Sequence, residues 1–187
     1  ERLRAHVPPA LELDLYDGEA WLSVTPFEVR GARARGVPPL PVLSRFPELN
    51  VRTYVTYEQR PGIWFFSLDA GSALAVAAAR TAYRLPYFRA RMGIDASAER
   101  WIDYRSERTD RRGAAATLRA RYRPLGGHRH AAPASLEAWL VERYRLYTVH
   151  RGQVYAADIH HRPWTLQDAH ADLHVNTLGG WSRTALF

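Results

Sequence analysis

The stretch Phe46-Pro-Glu-Leu-Asn-Val-Arg-Thr-Tyr-Val55 decides the fold, because its polar and apolar residues alternate with a period of two and so predict a β-strand over residues 46–55. Residues two apart on a pleated strand point to the same side and lie roughly 6.6 Å apart. Glu48, Asn50, Arg52 and Tyr54 therefore form one polar row, while Leu49, Val51 and Val55 face the other way. The row holds an acid, an amide, a bidentate cation and a phenol. Two readings stay open. The row faces water, the default for antiparallel sheets, with Glu48 and Arg52 satisfying each other. Otherwise it lines a barrel interior, since the following strand, with Trp64, Phe65, Phe66 and Asp69, reads as buried on both sides. On the second reading Glu48, Asn50, Arg52, Tyr54 and Asp69 are the candidate ligand-binding residues.

Working outward, residues 49–58 turn at Arg60-Pro61-Gly62 into residues 63–68, a hairpin rich in aromatic and β-branched side chains. Upstream, residues 11–15 and 21–29 read as a hairpin through Asp17-Gly18, and the proline-rich segment 36–41 reads as a loop. Downstream, Ser72 caps a helix over residues 73–83 that Pro86 ends. Residues 101–107 and 117–123 form a third hairpin around a turn at 110–113, followed by a loop over 124–133. Ser135 caps a short helix reaching residue 143, and residues 144–149 and 154–160 form a last hairpin through Arg151-Gly152. No element is assigned to residues 165–187. Four hairpins with two helical insertions predict a mainly β, α+β domain whose antiparallel sheet closes into a barrel, because closure removes exposed edges.

The 187 residues suit one domain with one sizeable core. No window approaches a membrane span, and Glu1-Arg2-Leu3-Arg4 lacks the pattern of a secretory signal, so a cytoplasmic location is expected. The absence of cysteine fits that compartment and excludes disulfides, thiol nucleophiles and cysteine-ligated metals. All 26 basic residues are arginine. A net charge of +7 suits a nucleic-acid surface in principle. However, the arginines are scattered, the cluster Arg105-Ser-Glu-Arg108-Thr-Asp-Arg111-Arg112 is interleaved with acids, and no recognition-helix, RNP or zinc-finger signature accompanies them. Nucleic acid is the weakest partner reading.

Several ordered motifs carry a resemblance: the strand 46–55, Pro61-Gly-Ile-Trp-Phe-Phe-Ser-Leu-Asp-Ala70, Arg84-Leu-Pro-Tyr87, Leu140-Val-Glu-Arg-Tyr-Arg-Leu-Tyr147 and His161-Arg-Pro-Trp164. Over nearly the whole chain these resemble the YqjF-like family of uncharacterised bacterial proteins. Val141 and Thr165 stand where threonine and proline are expected, and the family's first, tryptophan-containing strand is not among these residues. The resemblance implies an acetoacetate-decarboxylase-like fold, a cone-shaped β-barrel with an internal cavity. It does not carry the decarboxylase chemistry, which needs a neutral lysine amine to form a Schiff base. No lysine occurs here, and a guanidinium stays protonated.

Other constellations are weaker. His170-Ala-Asp-Leu-His174 has the i, i+4 spacing of a helical metal pair, with His160-His161 elsewhere, but no third ligand with diagnostic spacing accompanies it, so no metal is expected. His128-Arg-His130 reads as a solvated turn. Glu142, Arg143, Tyr144 and Tyr147 read as packing a helix against the barrel mouth. No nucleophile elbow, phosphate loop or dinucleotide fingerprint is present, and no cofactor is expected. Three functional hypotheses follow: a small-molecule binder or lysine-free enzyme for an acidic or polar organic ligand, a non-catalytic module that associates with further copies of itself, and an arginine-mediated nucleic-acid binder.

Overall fold

The computed structural model describes residues 2–31, 45–178 and 185–186. After a 3-10 turn at Arg4–His6 come β1 (Glu12–Leu13) and β2 (Leu22–Arg30), separated by a turn in which Asp17 and Gly18 take φ of 52° and 77°. The turn falls where expected, yet the two strands are not a hairpin. Only Tyr16 and Glu19 bridge it. Both strands instead run along one edge of β3 (Arg45–Tyr57), with Leu13 opposite Val55 and Leu22 opposite Thr53. The expected loop at 36–41 lies outside the described residues.

β4 (Arg60–Ala70) returns antiparallel to β3, but the turn is Glu58-Gln59, with φ of 51° and 60°, not Arg60-Pro61-Gly62. Gly62 is inside the strand for a different reason. A Cβ there would sit 2.5 Å from Cε2 of the Tyr147 ring. One extra residue, Phe66, bulges between the pairs Val51–Ser67 and Arg52–Phe65 and shifts the register beyond it.

Ser72 Oγ accepts from Ala75 N at 3.2 Å to start α1 (Ala73–Tyr83), which ends at Arg84 in the left-handed region. β5 (Tyr87–Ala96) was not foreseen. It pairs parallel with the end of β4, Leu68 beside Tyr87, and antiparallel with β6 (Ile102–Arg108). β6 and β7 (Thr117–Arg129) form the expected hairpin, with Tyr104 opposite Ala120. β7 continues through Pro124, where a loop was expected. α2 (Leu136–Val141) is capped by Ser135 and stops short of residue 143. β8 (Arg145–His150) and β9 (Gln153–Asp158) form the last hairpin through Arg151-Gly152. β10 (Leu166–Asn176) pairs along the extended part of β7, and β11 (Ala185–Leu186) lies parallel to β2.

The result is a mainly β mixed sheet of eleven strands in the order β10-β7-β6-β5-β4-β3-β2-β11, with β1, β8 and β9 off that path. The expected antiparallel cone-shaped barrel is corrected on two counts. The sheet is not purely antiparallel, because α1 and α2 intervene before β5 and β8, and both strands come back parallel to β4. Nor is it closed among the described residues: β10 pairs only with β7, and β2 gains only the short β11 on its free side.

Three apolar clusters hold the sheet. Leu22, Val24, Leu49 and Val51 meet Tyr104, Leu118 and Ala120 of the facing strands. Ile63, Phe65, Leu68, Leu85 and Leu146 cover the opposite face of β4. Val7 and Leu11 fold over Val55 and Tyr147. β3 thus has apolar cover on the face of Leu49, Val51 and Val55, each buried leucine or valine contributing about 1.5–3 kcal/mol, while its other face carries the buried polar row. No helix is long and apolar enough to cross a membrane.

Gly62→Ala tests the close approach under Tyr147. It should lower stability by about 2–3 kcal/mol in urea titration, and Tyr147→Leu in the same chain should recover most of the loss by removing the ring edge.

Candidate functional site

Glu48, Asn50, Arg52 and Tyr54 share one face of β3, and that face is inside the molecule. Glu48, Asn50 and Tyr54 are 4%, 6% and 0% exposed, and Arg52 is half-buried. The pairing places Thr25 opposite Asn50 and Ser23 opposite Arg52 on β2, and Leu68 opposite Asn50 on β4, with Tyr87 beside Leu68. Glu48 and Arg52 make no ion pair. Instead the Tyr87 hydroxyl donates to Glu48 Oε2 at 3.1 Å, and the neighbouring Asn50 side chain also favours the charged form of this carboxylate. Burial outweighs both and pushes the Glu48 carboxyl up to about 7. Burial and the adjacent Glu48 raise the Tyr87 phenol well above its ordinary range.

The other end of the row holds α2. The Tyr54 hydroxyl and Ser23 Oγ lie 2.7 Å apart, and the Tyr54 ring meets Trp139 at 4.5 Å between centroids. Arg143 stacks on Trp139 at 4.3 Å, donates through Nε to the Trp139 carbonyl at 2.6 Å and through Nη1 to Asp14 Oδ2 at 2.6 Å. Arg52 Nη2 reaches the Leu140 carbonyl at 3.5 Å. Two guanidiniums thus meet the last carbonyls of α2, where cations are favoured. Of the residues expected to pack this helix, Arg143 does so. Tyr147 belongs to the cluster around Val55, while Glu142 and Tyr144 are exposed and bonded to each other.

Asp69 does not join the row. A two-residue turn at Glu58-Gln59 would by itself place Asp69 opposite Glu48, but the Phe66 bulge moves Ala70 there and sets Asp69 opposite Leu49, on the other face. Its carboxylate accepts from Arg108 Nε at 2.8 Å, and Arg108 stacks on Phe88 at 4.3 Å. Burial raises the Asp69 carboxyl, with the Arg108 bond opposing it. This is a buried strand-to-strand ion pair.

Three polar atoms on the row's face have no hydrogen-bond partner: Thr25 Oγ1, Asn50 Oδ1 and Arg52 Nε. Such orphans are rare in folded interiors and mark places where water or a ligand belongs. Tyr87, Thr25 and Ser23 are functional-face residues that the sequence reading did not single out. Tyr87 stood in the motif Arg84-Leu-Pro-Tyr87, but its role depends on β5, which the reading lacked. None of the three clefts described among these residues is lined by Glu48, Asn50, Arg52 or Tyr54.

The remaining candidates separate. His170, Asp172 and His174 lie on β10, a strand and not a helix, so His170 meets Asp172 at 3.3 Å but the i, i+4 spacing does not set the two histidines together as a helical pair would. Among the described residues no group of three histidines or carboxylates is placed to hold a metal ion. His128 is at the end of β7, and His161 stacks on Tyr144 at 4.6 Å. The arginine cluster is matched by acids: Arg105 with Asp95, Arg108 with Asp69, and Arg112 with Asp110.

Residues 1–180 match the model of the family DUF2071, described as "Uncharacterized conserved protein (COG2071)". The chain belongs to that family. It is similar to the "Uncharacterized protein YqjF" of Bacillus subtilis (strain 168), with 52% identity over 176 residues, covering 94% of this chain and 72% of the relative. No solved structure matches it. Neither description names an activity, so for this DUF2071 chain the site itself must carry the functional reading.

Two outcomes check the electrostatics of this DUF2071 chain. Native Glu48 keeps its proton to about pH 7 whereas the unfolded chain releases it near 4.5, so the native state binds more protons between those values. Stability should therefore fall as pH rises through that window, by about 3 kcal/mol in all. Denaturant titration at several pH values should show this slope in the wild type and a flatter profile in Glu48→Gln. Separately, Asp69→Asn should cost about 3 kcal/mol by stranding Arg108, and the double change Asp69→Leu, Arg108→Met should regain most of it.

Proposed function

We propose that this protein binds a small polar or acidic organic molecule on the inner face of β3, using Arg52, Asn50 and Thr25 for recognition and the Glu48–Tyr87 pair to hold or move a proton. The observation that carries this is the adjacency of three unpaired polar atoms, Thr25 Oγ1, Asn50 Oδ1 and Arg52 Nε, to a buried carboxyl that titrates near neutrality. A ligand oxygen would satisfy Arg52 Nε, and a ligand hydroxyl or amide would satisfy the Asn50 and Thr25 oxygens. Schiff-base chemistry is not part of the proposal, since these 187 residues include no lysine. In this reading the chain is one cytoplasmic domain. Its curled sheet corresponds to the cone-shaped barrel of acetoacetate decarboxylase with the seam between β2 and β10 left open.

A second reading has its own support. Arg52 already meets the Leu140 carbonyl, Tyr54 already meets Trp139, and the row borders none of the three clefts, so the row also serves as the anchor of α2. The matched charges around Arg105, Arg108 and Arg112 favour both of these over a nucleic-acid role, because paired arginines release few counterions.

A thermal-shift screen of small carboxylic acids and hydroxy acids decides between them. A ligand at one hundred times its Kd adds about 2.7 kcal/mol of stability, a rise of several degrees. That rise should vanish in Arg52→Ala and shrink in Asn50→Leu. If Arg52→Ala lowers the melting temperature yet leaves every hit's shift intact, the row is only an anchor.

A further inference from the structure

We infer that the open seam of the sheet is a second binding site, for an uncharged, largely apolar molecule that carries one hydrogen-bonding oxygen. Where a barrel would close, β2 and β10 do not pair. Between them lies a cleft of about 460 Å³, walled by Pro26, Ala120, Leu140, Val141, Ala169 and Ala171. That size is within the usual range for small-molecule sites. The walls come from β2, β7, α2 and β10, so the cleft is a product of the fold and not of one loop. It shares no lining residue with the polar row on β3.

The polar groups at the cleft select the occupant. Tyr122 lines the cleft, and among the described residues its hydroxyl has no hydrogen-bond partner. It is therefore available to donate to, or accept from, a single ligand oxygen. The rim carries Arg129, Glu137 and Asp168. Arg129 is bidentate to Glu137 at 2.9 and 2.6 Å and also donates to Asp168 at 2.9 Å. One cation shared between two carboxylates leaves the rim net negative and the guanidinium engaged. An anionic ligand would meet repulsion there, and the single Tyr122 hydroxyl is too little to offset its desolvation. A neutral ester, ketone or alcohol with a hydrocarbon body meets neither obstacle. The same rim ties α2 to β7 and β10, which keeps the walls in place without a ligand.

The probes are methyl octanoate and its anion octanoate, followed by saturation-transfer NMR with titration. The wild type should bind the ester saturably and the anion at least ten-fold more weakly. Ala171→Trp and Ala169→Trp, both on the exposed strand β10, each fill the cleft and should weaken the ester at least ten-fold. Asp172→Trp, one residue away and pointing to the other face of β10, should leave it unchanged. Tyr122→Phe should cost several-fold. The double change Glu137→Gln, Asp168→Asn frees Arg129 and should raise octanoate affinity at least ten-fold. Circular dichroism and melting temperature verify folding, and if a filling variant unfolds, the ester-to-anion ratio and Tyr122→Phe still decide. The inference is overturned if the ester does not bind, if it binds as well to both filled variants, or if octanoate binds as tightly as the ester. Concentration-dependent self-association that displaces the ester, seen by sedimentation, would overturn it too.

Discussion

β3 is hydrogen-bonded on both edges over most of its length and covered on both faces, and the rest of the molecule is arranged around that double burial. A half-exposed strand can leave its polar side to water. Here Glu48, Asn50, Arg52 and Tyr54 must find partners inside the protein or remain unsatisfied. Three of the four recruit a distant element: Glu48 holds Tyr87 of β5, Tyr54 holds Ser23 of β2 and Trp139 of α2, and Arg52 reaches the end of α2. The polar row therefore helps fix where the strands and helix sit. The groups it fails to satisfy, on Thr25, Asn50 and Arg52, are the ones on which the proposed binding rests.

The parts of this arrangement that were legible in the sequence are local. Period-two alternation revealed the row, and the hairpin of β6 and β7, the hairpin of β8 and β9, and the serine caps of both helices depend on residues close in the chain. The orientation of the row could not be read, because alternation distinguishes two faces without saying that both are covered. Asp69 was misplaced for a related reason: its face depends on one bulged residue, Phe66, which nothing in the local pattern announces. β5 and β10 were missed because arginine, alanine and histidine dilute their alternation, and β10 is held by β7, far along the sequence. Closure of the sheet could not be read on the same grounds, since it is decided by which distant strands pair.

The two proposed sites differ in how they treat charge. On β3 the burial of Glu48 places a titrating group in a water-poor setting, so occupancy there should couple to pH. At the seam Arg129 is engaged by its two carboxylates, and the cleft presents mostly carbon surface with the Tyr122 phenol and the Gln167 amide, whose nitrogen is already bonded to the Gly126 carbonyl. A chain whose only strong cation is arginine can build both, since a guanidinium serves as a forked donor to carboxylates and as a flat surface for aromatic rings.

The turn at Glu58-Gln59 bears on how the chain folds. Both residues sit in the left-handed region without the glycine or asparagine that favours it, so the central hairpin has a poor local nucleus. Its stability comes instead from Val7, Leu11, Leu146 and Tyr147, all far from it along the sequence. The long-range contacts therefore weigh heavily in securing the middle of the sheet, and loop closure is expected to slow folding. During that interval the alternating β3 segment is exposed, and its internal glutamate and arginine act as charges that discourage pairing between chains.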